Sequence, residues 1–325
     1  IILIVAGHLL LAGIESSYLF ELAIQNIIFG GTTLFVFISG FLFHHVFFKS
    51  FNYKRFLKKK IKTIIFPYIF FSIVPVIYYT IKNVDNNMLF DSLSLNYLAL
   101  ALKYLITGSG LQIYWYIPFI MVMFLLSPMY IKFIGLKNIT KVVIVLLLLL
   151  ISSLLHRPVL NYNVLQSLVY FLPVYLMGIT ASINKEKIYT FLSGKESHIL
   201  GVIILLAFCQ AYFGIVGSYH KLPFLYGGLD LMLLQKIGLC FFFMVWLHRF
   251  ESTKNKALEM VAATSFTIYF MHAIILWVIT GLNFSLNDIW LVYVLLTLTI
   301  IFICTISALI IKKLFPKYSR YLIGF

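Results

Sequence analysis

Apolar residues run along this chain in long blocks, and the polar positions fall mainly between those blocks. Several blocks approach or exceed the ~20 residues that an α-helix needs to cross a ~30 Å hydrocarbon core, and none shows the ten-residue alternation of an outer-membrane barrel. The pattern predicts spans at about 1–14, 23–48, 63–82, 112–134, 140–155, 164–183, 198–216, 228–248, 261–281 and 289–311, with 93–107 as an amphipathic or re-entrant segment. The expected fold is therefore all-α: a polytopic helical membrane protein of about ten transmembrane helices. No soluble domain, linker or repeat interrupts the pattern, so residues 1–325 are expected to form a single domain. The opening run IILIVAGHLLLAGI begins with isoleucine in mid-helix. A first helix cut short at its cytoplasmic end is the expectation, with Glu15 marking its outer end.

Composition agrees with that class. The chain is 62% hydrophobic and 11% charged, with a mean hydropathy of +1.02, against roughly 45–50% apolar and about 25% charged in soluble domains. No basic n-region and no A-x-A cleavage pattern surround the first run, so a cleaved signal peptide is not expected. Cys209, Cys240 and Cys304 all lie inside apolar runs without metal-ligand spacing and read as small core residues.

The net charge of +15 raises the question of a nucleic-acid partner, and its placement answers it. Twenty of the 25 Lys and Arg fall in one alternate set of connections, at 49–62, 132–141, 184–197, 249–260 and 312–325, whereas the opposite set carries Lys82, Lys103, Arg157 and Lys221. Such asymmetry is the positive-inside pattern. It predicts a multi-pass protein of the cell (plasma) membrane with both termini cytoplasmic, whose partners are membrane lipids and not nucleic acid. The densest run, KSFNYKRFLKKKIK, reads as a stop-transfer cluster touching anionic lipid, or as a cytoplasmic basic mouth for a polyanion such as the phosphates of coenzyme A. Charge alone leaves both open.

Polar side chains inside the blocks are few, and each costs at least ~2.5–3.5 kcal/mol at the bilayer centre. His8 lies seven residues before Glu15, or ~10 Å deep, and His272 nine residues before Gly281, or ~13 Å deep. Ser265, Tyr269 and His272, at i, i+4 and i+7, form one polar stripe expected to face inward. Histidine takes and releases a proton near neutral pH, and the neutral imidazole is the form a general base needs. The alternative for each histidine is polar glue between helices. His44 and His45 point ~100° apart on a helix and cannot share a ligand face. The remaining histidines lie near span ends or in connections, with no HxxxH or HExxH pattern, so no metal site is expected. Lys236 lies deep in the eighth span and, six residues from Asp230, on a different face; it needs a partner elsewhere or it snorkels. Trp115, in YWYIP, reads as an aromatic-belt residue by default. No GxSxG, GxxxxGK[ST] or GxGxxG is present.

Four segments spread over the chain carry a resemblance. ILIVAGH, TTLFVFISGFLF followed by a basic segment and KTIIFPYI, then WYIPFI, and finally TSFTIYFMHA together look like the acyltransferase-3 family of ten-helix membrane enzymes. The wording FISGFLF and YKRFLKKKIKTIIFPYI is similar to the branch containing the intercellular-adhesin polysaccharide membrane protein and fucose O-acetylase-like proteins. The resemblance implies transfer of an acyl group, commonly acetyl from acetyl-CoA, to a hydroxyl of a cell-surface glycan or lipid-linked glycan acceptor, with acyl-CoA as donor substrate and no bound cofactor. It points to His8 as the catalytic base, with His272 as the second catalytic candidate, to His272, Tyr269 and Trp115 as candidate donors to the developing oxyanion, and to Tyr269, Trp115, Ser265 and Lys236 as candidate substrate-binding residues. The family's arginine, about eleven residues before the first-span histidine, would fall before Ile1. Two other readings remain at this stage: a non-enzymatic exporter of a glycan or lipid-linked precursor, for which Gly30-Gly31 and Gly227-Gly228 could mark broken helices, and a membrane relative that has lost catalysis.

Overall fold

The computed structural model describes residues 1–11, 18–85, 93–161, 163–225, 227–282 and 289–325. Glu15 and residues 12–14 of the first expected span lie outside them. In chain order the helices are α1 (Ile2–Leu10), α2 (Leu19–Ile28), α3 (Gly31–Leu42), α4 (Tyr53–Lys60), α5 (Phe66–Asp85), α6 (Leu93–Thr107), α7 (Tyr116–Leu125), α8 (Ser127–Ile134) and α9 (Asn138–Leu155). They continue as α10 (Val164–Ile183), α11 (Lys185–Leu192), α12 (Glu196–Tyr212), α13 (Leu231–His248), α14 (Lys256–Ala263), α15 (Ser265–Gly281), α16 (Trp290–Leu314) and α17 (Ser319–Leu322). Two-residue strands β1 (Arg157–Pro158) and β2 (His220–Lys221) pair in parallel, Arg157 opposite His220.

Six helical stretches of the described residues are long and apolar enough to cross a membrane: Leu19–Ser50, Tyr53–Lys82, Asn138–Leu155, Val164–Ile183, Leu231–His248 and Trp290–Leu314. Three bent pairs raise the number to nine if each is one span: Tyr97–Thr107 with Gln112–Leu125 at 64°, Lys185–Leu192 with Glu196–Tyr212 at 87°, and Lys256–Ala263 with Ser265–Gly281 at 70°. The protein is thus a helical, multi-pass membrane protein.

Where the chain departs from the expected spans, local chemistry gives the reason. The basic run is helical and not a loop: Asn52 caps α4 by accepting from the Arg55 backbone N–H at 2.9 Å, and a π-helical turn at Ile61–Ile65 carries the helix into α5. Phe56 of this helix is buried while Lys54, Arg55, Lys58 and Lys59 stay exposed, so the segment is amphipathic. The expected span 112–134 is two helices, because Leu126 leaves helical geometry at ψ 3° and Pro128 sits in the first turn of α8, where its missing N–H costs nothing. The expected span 23–48 breaks at Phe29–Gly30. Phe29 is extended (ψ 164°) and Gly30 is left-handed (φ +75°), a conformation glycine adopts without penalty.

Because lipid tails are as apolar as Leu or Phe, helix association here depends on close packing rather than on water exclusion. The closest approach is between α3 and α10. A Cβ on Gly40 would overlap the carbonyl of Tyr175, and one on Gly178 would overlap the carbonyl of Phe37, so each glycine receives the other helix's backbone. An aromatic core surrounds this crossing, with Phe43, Phe119, Phe171, Tyr130 and Tyr175 all buried. A second, smaller core joins α1, α15 and α16 through Val5, Leu9, Ile268, Ile300 and Cys304. Cys240 and Cys304 are buried free thiols in these cores.

Candidate functional site

The two intramembrane histidines that depth estimates set at similar level are in contact where these two cores meet. His8 Nδ1 lies 3.1 Å from His272 Nε2. The imidazole planes are nearly parallel, 16° apart, with centroids 5.4 Å apart, so the rings meet edge to edge through this contact. His272 Nδ1 lies 2.7 Å from the carbonyl oxygen of Ile268, one helical turn earlier in α15.

These contacts fix the protons. A carbonyl oxygen only accepts, so His272 carries its hydrogen on Nδ1 and donates it to Ile268. The Nε2 of neutral His272 is then an acceptor, and His8 must donate to it from Nδ1. His8 is left with its Nε2 lone pair, for which the hydrogen bonds among the described residues provide no partner. His272 is fully buried and His8 half-buried, so the free nitrogen belongs to the more accessible ring. An oriented imidazole with one nitrogen held and the other free is the arrangement a general base requires.

Main-chain contacts hold both helices of the pair. On α1, the small residue Gly7 brings the helix against Ile28 and Phe29 at the break between α2 and α3. On α15, Tyr269 donates its hydroxyl to the Ile113 carbonyl at 2.6 Å, while Tyr114 donates to the Phe270 carbonyl at 2.9 Å. This reciprocal pair ties α15 to the 3-10 turn Gln112–Trp115 that precedes α7. The Tyr269 ring packs beside His272, with centroids 6.0 Å apart. Its hydroxyl proton is committed to a carbonyl in this structure.

The remaining expected residues take separate places. Ser265 begins α15, half-buried and two turns before His272, about 10 Å along the axis. Trp115 is buried at the head of α7 and packs on Phe119 and Phe171, not in a lipid-facing belt. Lys236 is fully buried and finds its partner on another helix: Nζ donates to the carbonyls of Asn26 at 2.9 Å and Ile27 at 2.6 Å. These are orphan carbonyls at the C-terminus of α2, where a cation complements the helix dipole. Lys236 thereby clamps the same break that receives Gly7. Asp230, which the spacing kept apart from Lys236, caps α13 by accepting from Leu233 N–H at 2.9 Å and accepts from the Tyr170 hydroxyl at 2.7 Å.

Arg157 is the residue that sequence reasoning passed over. Counted there as one of four charges on the sparse side, it is buried, with its guanidinium over Trp115 at 5.0 Å and Phe171 at 5.5 Å. The available signal was its position directly after an apolar block, on the side where basic residues are rare.

The sequence model of the family described as Acyltransferase domain matches residues 1–309. No curated protein and no solved structure matches the chain. With the family match spanning nearly the whole chain, the protein belongs to the acyltransferase-3 family and is a membrane acyltransferase that transfers groups other than amino-acyl groups.

Proposed function

We propose that this protein is an O-acyltransferase of the plasma membrane that moves an acetyl or other short acyl group from acyl-CoA to a hydroxyl of a cell-surface or extracellular polysaccharide or related glycan. The observation that carries the reading is the hydrogen-bond chain Ile268 to His272 to His8, which leaves the His8 Nε2 lone pair without a partner among the described residues. A sugar hydroxyl is a poor nucleophile at neutral pH, so a base must take its proton as it attacks the thioester carbonyl. In this mechanism His8 Nε2 accepts that proton while the sugar oxygen bonds to the acyl carbon. The tetrahedral intermediate then collapses, the carbon–sulfur bond breaks, and the proton on His8 passes to the departing CoA thiolate. Charge on His8 during the step is shared with His272, whose own Nδ1–H remains on Ile268. His272 and Tyr269 orient the base and its surroundings. Trp115 shapes the acceptor side, Ser265 lies at the N-terminal end of α15, and Lys236 holds the helix break against which α1 rests.

The donor side of the reading has its own support. A cleft of about 230 Å³ is lined by Phe47, Ser50, Asn52, Arg55 and Lys59 at the base of the amphipathic α4. Lys60 lies beside it over the rings of Phe47 and Phe124, at 4.9 and 4.5 Å. Clustered cations of this kind suit the phosphates of coenzyme A. In the proposed topology this face and both termini are cytoplasmic, with ten crossings. The likeness of FISGFLF and the basic helix to the adhesin-polysaccharide and fucose O-acetylase-like branch supports a glycan acceptor.

The test is transfer from labelled acetyl-CoA to a glycan acceptor in proteoliposomes, wild type against His8→Ala. Loss of transfer in the variant is expected. Transfer that continues undiminished rules out His8 as the base, and acceptor movement across the bilayer without any acyl-CoA replaces the enzyme reading by an exporter.

A further inference from the structure

Buried charges in proteins are paired or coordinated, because an isolated ion away from water is costly. Most buried charges among the described residues obey the rule; Lys141, 4% exposed, has no carboxylate of a described residue within 4.0 Å, and Arg157 is the other exception. Lys236 has two carbonyls, and Glu196 bridges Arg249 at 2.8 Å. Asp230 accepts two hydrogen bonds. Arg157, only 8% exposed, has no carboxylate oxygen of a described residue within 4.0 Å. One of its terminal nitrogens donates to Ser218 Oγ at 2.8 Å, and its Nε–H has no partner among the described residues. Asp230, whose carboxylate accepts from the Tyr170 hydroxyl and the Leu233 N–H, makes no ion pair with it within 4.0 Å.

The guanidinium is nevertheless rigidly placed. Its backbone N–H donates to the Tyr219 carbonyl at 3.0 Å, and the β1–β2 pairing joins its loop to the one before α13. Its plane rests on Trp115 and Phe171, whose rings stack on each other at 6.1 Å. Trp115 ends the 3-10 turn whose Ile113 carbonyl holds Tyr269, one turn from His272. A pre-positioned guanidinium with unused donors matches one chemistry above others, a planar carboxylate or a phosphate oxygen.

We propose that Arg157 is an acceptor-binding residue, whose guanidinium, laid on Trp115 and Phe171 without a carboxylate partner among the described residues, takes a carboxylate or phosphate oxygen of the acceptor and so sets an acceptor hydroxyl toward His8. The direction toward His8 rests on the acyltransfer reading above; the anion site itself does not. The acceptor class that follows is an acidic glycan, bearing uronate or phosphodiester groups.

Full-length protein in nanodiscs is titrated with a galacturonic acid oligomer, its carboxyl-reduced neutral counterpart, and a glycerol phosphate oligomer, reading binding by calorimetry and transfer by labelled acetyl-CoA. Wild type is expected to bind an anionic oligomer ~10-fold or more tightly than the neutral one, as expected for one charge-assisted hydrogen-bonded contact. Arg157→Gln removes that preference and lowers the charged-to-neutral ratio of kcat/KM by the same factor, whereas Arg157→Lys restores most of it. Lys221→Gln, a cation on the same side, leaves the ratio unchanged. Preference for the galacturonate or the phosphate arm identifies the source of the anion. No charge preference in wild type, or equal losses for charged and neutral oligomers in both Arg157 variants, overturns the proposal. Arg157-dependent anion binding without transfer to any oligomer supports the anion site and counts against the acyltransfer reading; transfer without charge preference does the reverse.

Discussion

Replacing His272 by leucine tests the order of the hydrogen-bond chain. In the wild-type protein His8 Nδ1–H donates to His272 Nε2 across 3.1 Å, and His272 is itself held by Ile268 at 2.7 Å. Leucine removes the acceptor and leaves a donor on His8 unsatisfied in a buried, apolar setting. Such a group costs ~1–3 kcal/mol. If that cost is met by rotation or tautomer exchange of His8, the productive base is lost by the same margin, which lowers kcat ~5- to 150-fold. Removing the base itself, in His8→Ala, takes away general-base catalysis worth ~10²–10⁴-fold. Three results follow for acyl transfer in proteoliposomes. His272→Leu is less damaging than His8→Ala. His272→Gln, whose amide oxygen can accept from His8, recovers part of the loss. The double variant is no worse than His8→Ala alone, because residues that act as a unit are not additive. A His272→Leu variant more impaired than His8→Ala, or additive losses in the double variant, would refute this order and make His272 the proton acceptor.

The helix packing yields two further expectations. Gly178→Ala or Gly40→Ala pushes a methyl group into the backbone of the facing helix, so each lowers the melting temperature in detergent by the overpacking cost of ~1–3 kcal/mol, and Ala at Gly201, which has open space around it, does not. Lys236→Met leaves the Asn26 and Ile27 carbonyls without their donor at the end of α2, which destabilises the break by ~1–3 kcal/mol. Lys236→Gln, still a donor, loses less, and unchanged thermal unfolding in Lys236→Met would remove the clamp from the account.

Much of this arrangement was legible in the sequence because the bilayer simplifies the problem. Polar groups are so costly in lipid that His8 and His272 stood out without any structure, and the 1.5 Å rise per residue was enough to set them level. The long helices Val164–Ile183, Leu231–His248 and Trp290–Leu314 follow directly from their apolar blocks. What the sequence hid depends on pairing between distant elements. The break at Phe29–Gly30 is held in part by a lysine some 210 positions away that donates to the exposed carbonyls. The helical basic segment was masked by its charge, since Phe56 and Leu57 reveal their buried face only beside Phe43 and Phe124. Arg157 was lost among surface cations because burial cannot be read from a charge count. Proton placement on the histidines likewise required the Ile268 carbonyl, an atom that every residue possesses and that no motif marks.

The geometry also explains why the candidate site is built from helix backbones and not from loops. Three of the contacts that orient the histidine pair end on main-chain carbonyls, those of Ile268, Ile113 and Phe270, and Lys236 adds two more at the break beneath α1. Carbonyl oxygens inside helices move only when the helix moves, so the backbone holds His8 in one orientation. A base presented by a flexible loop would have to be ordered anew at each turnover, at a cost of ~1–2 kcal/mol per residue immobilised. On the acyltransfer reading, the variable parts of the chemistry are then left to the periphery: the cationic cleft of α4 for the donor, and the Arg157 shelf for the acceptor. Substitutions at those two places should change which substrates are used and how tightly, while substitutions along the chain from Ile268 to His8 should change the rate for every substrate alike.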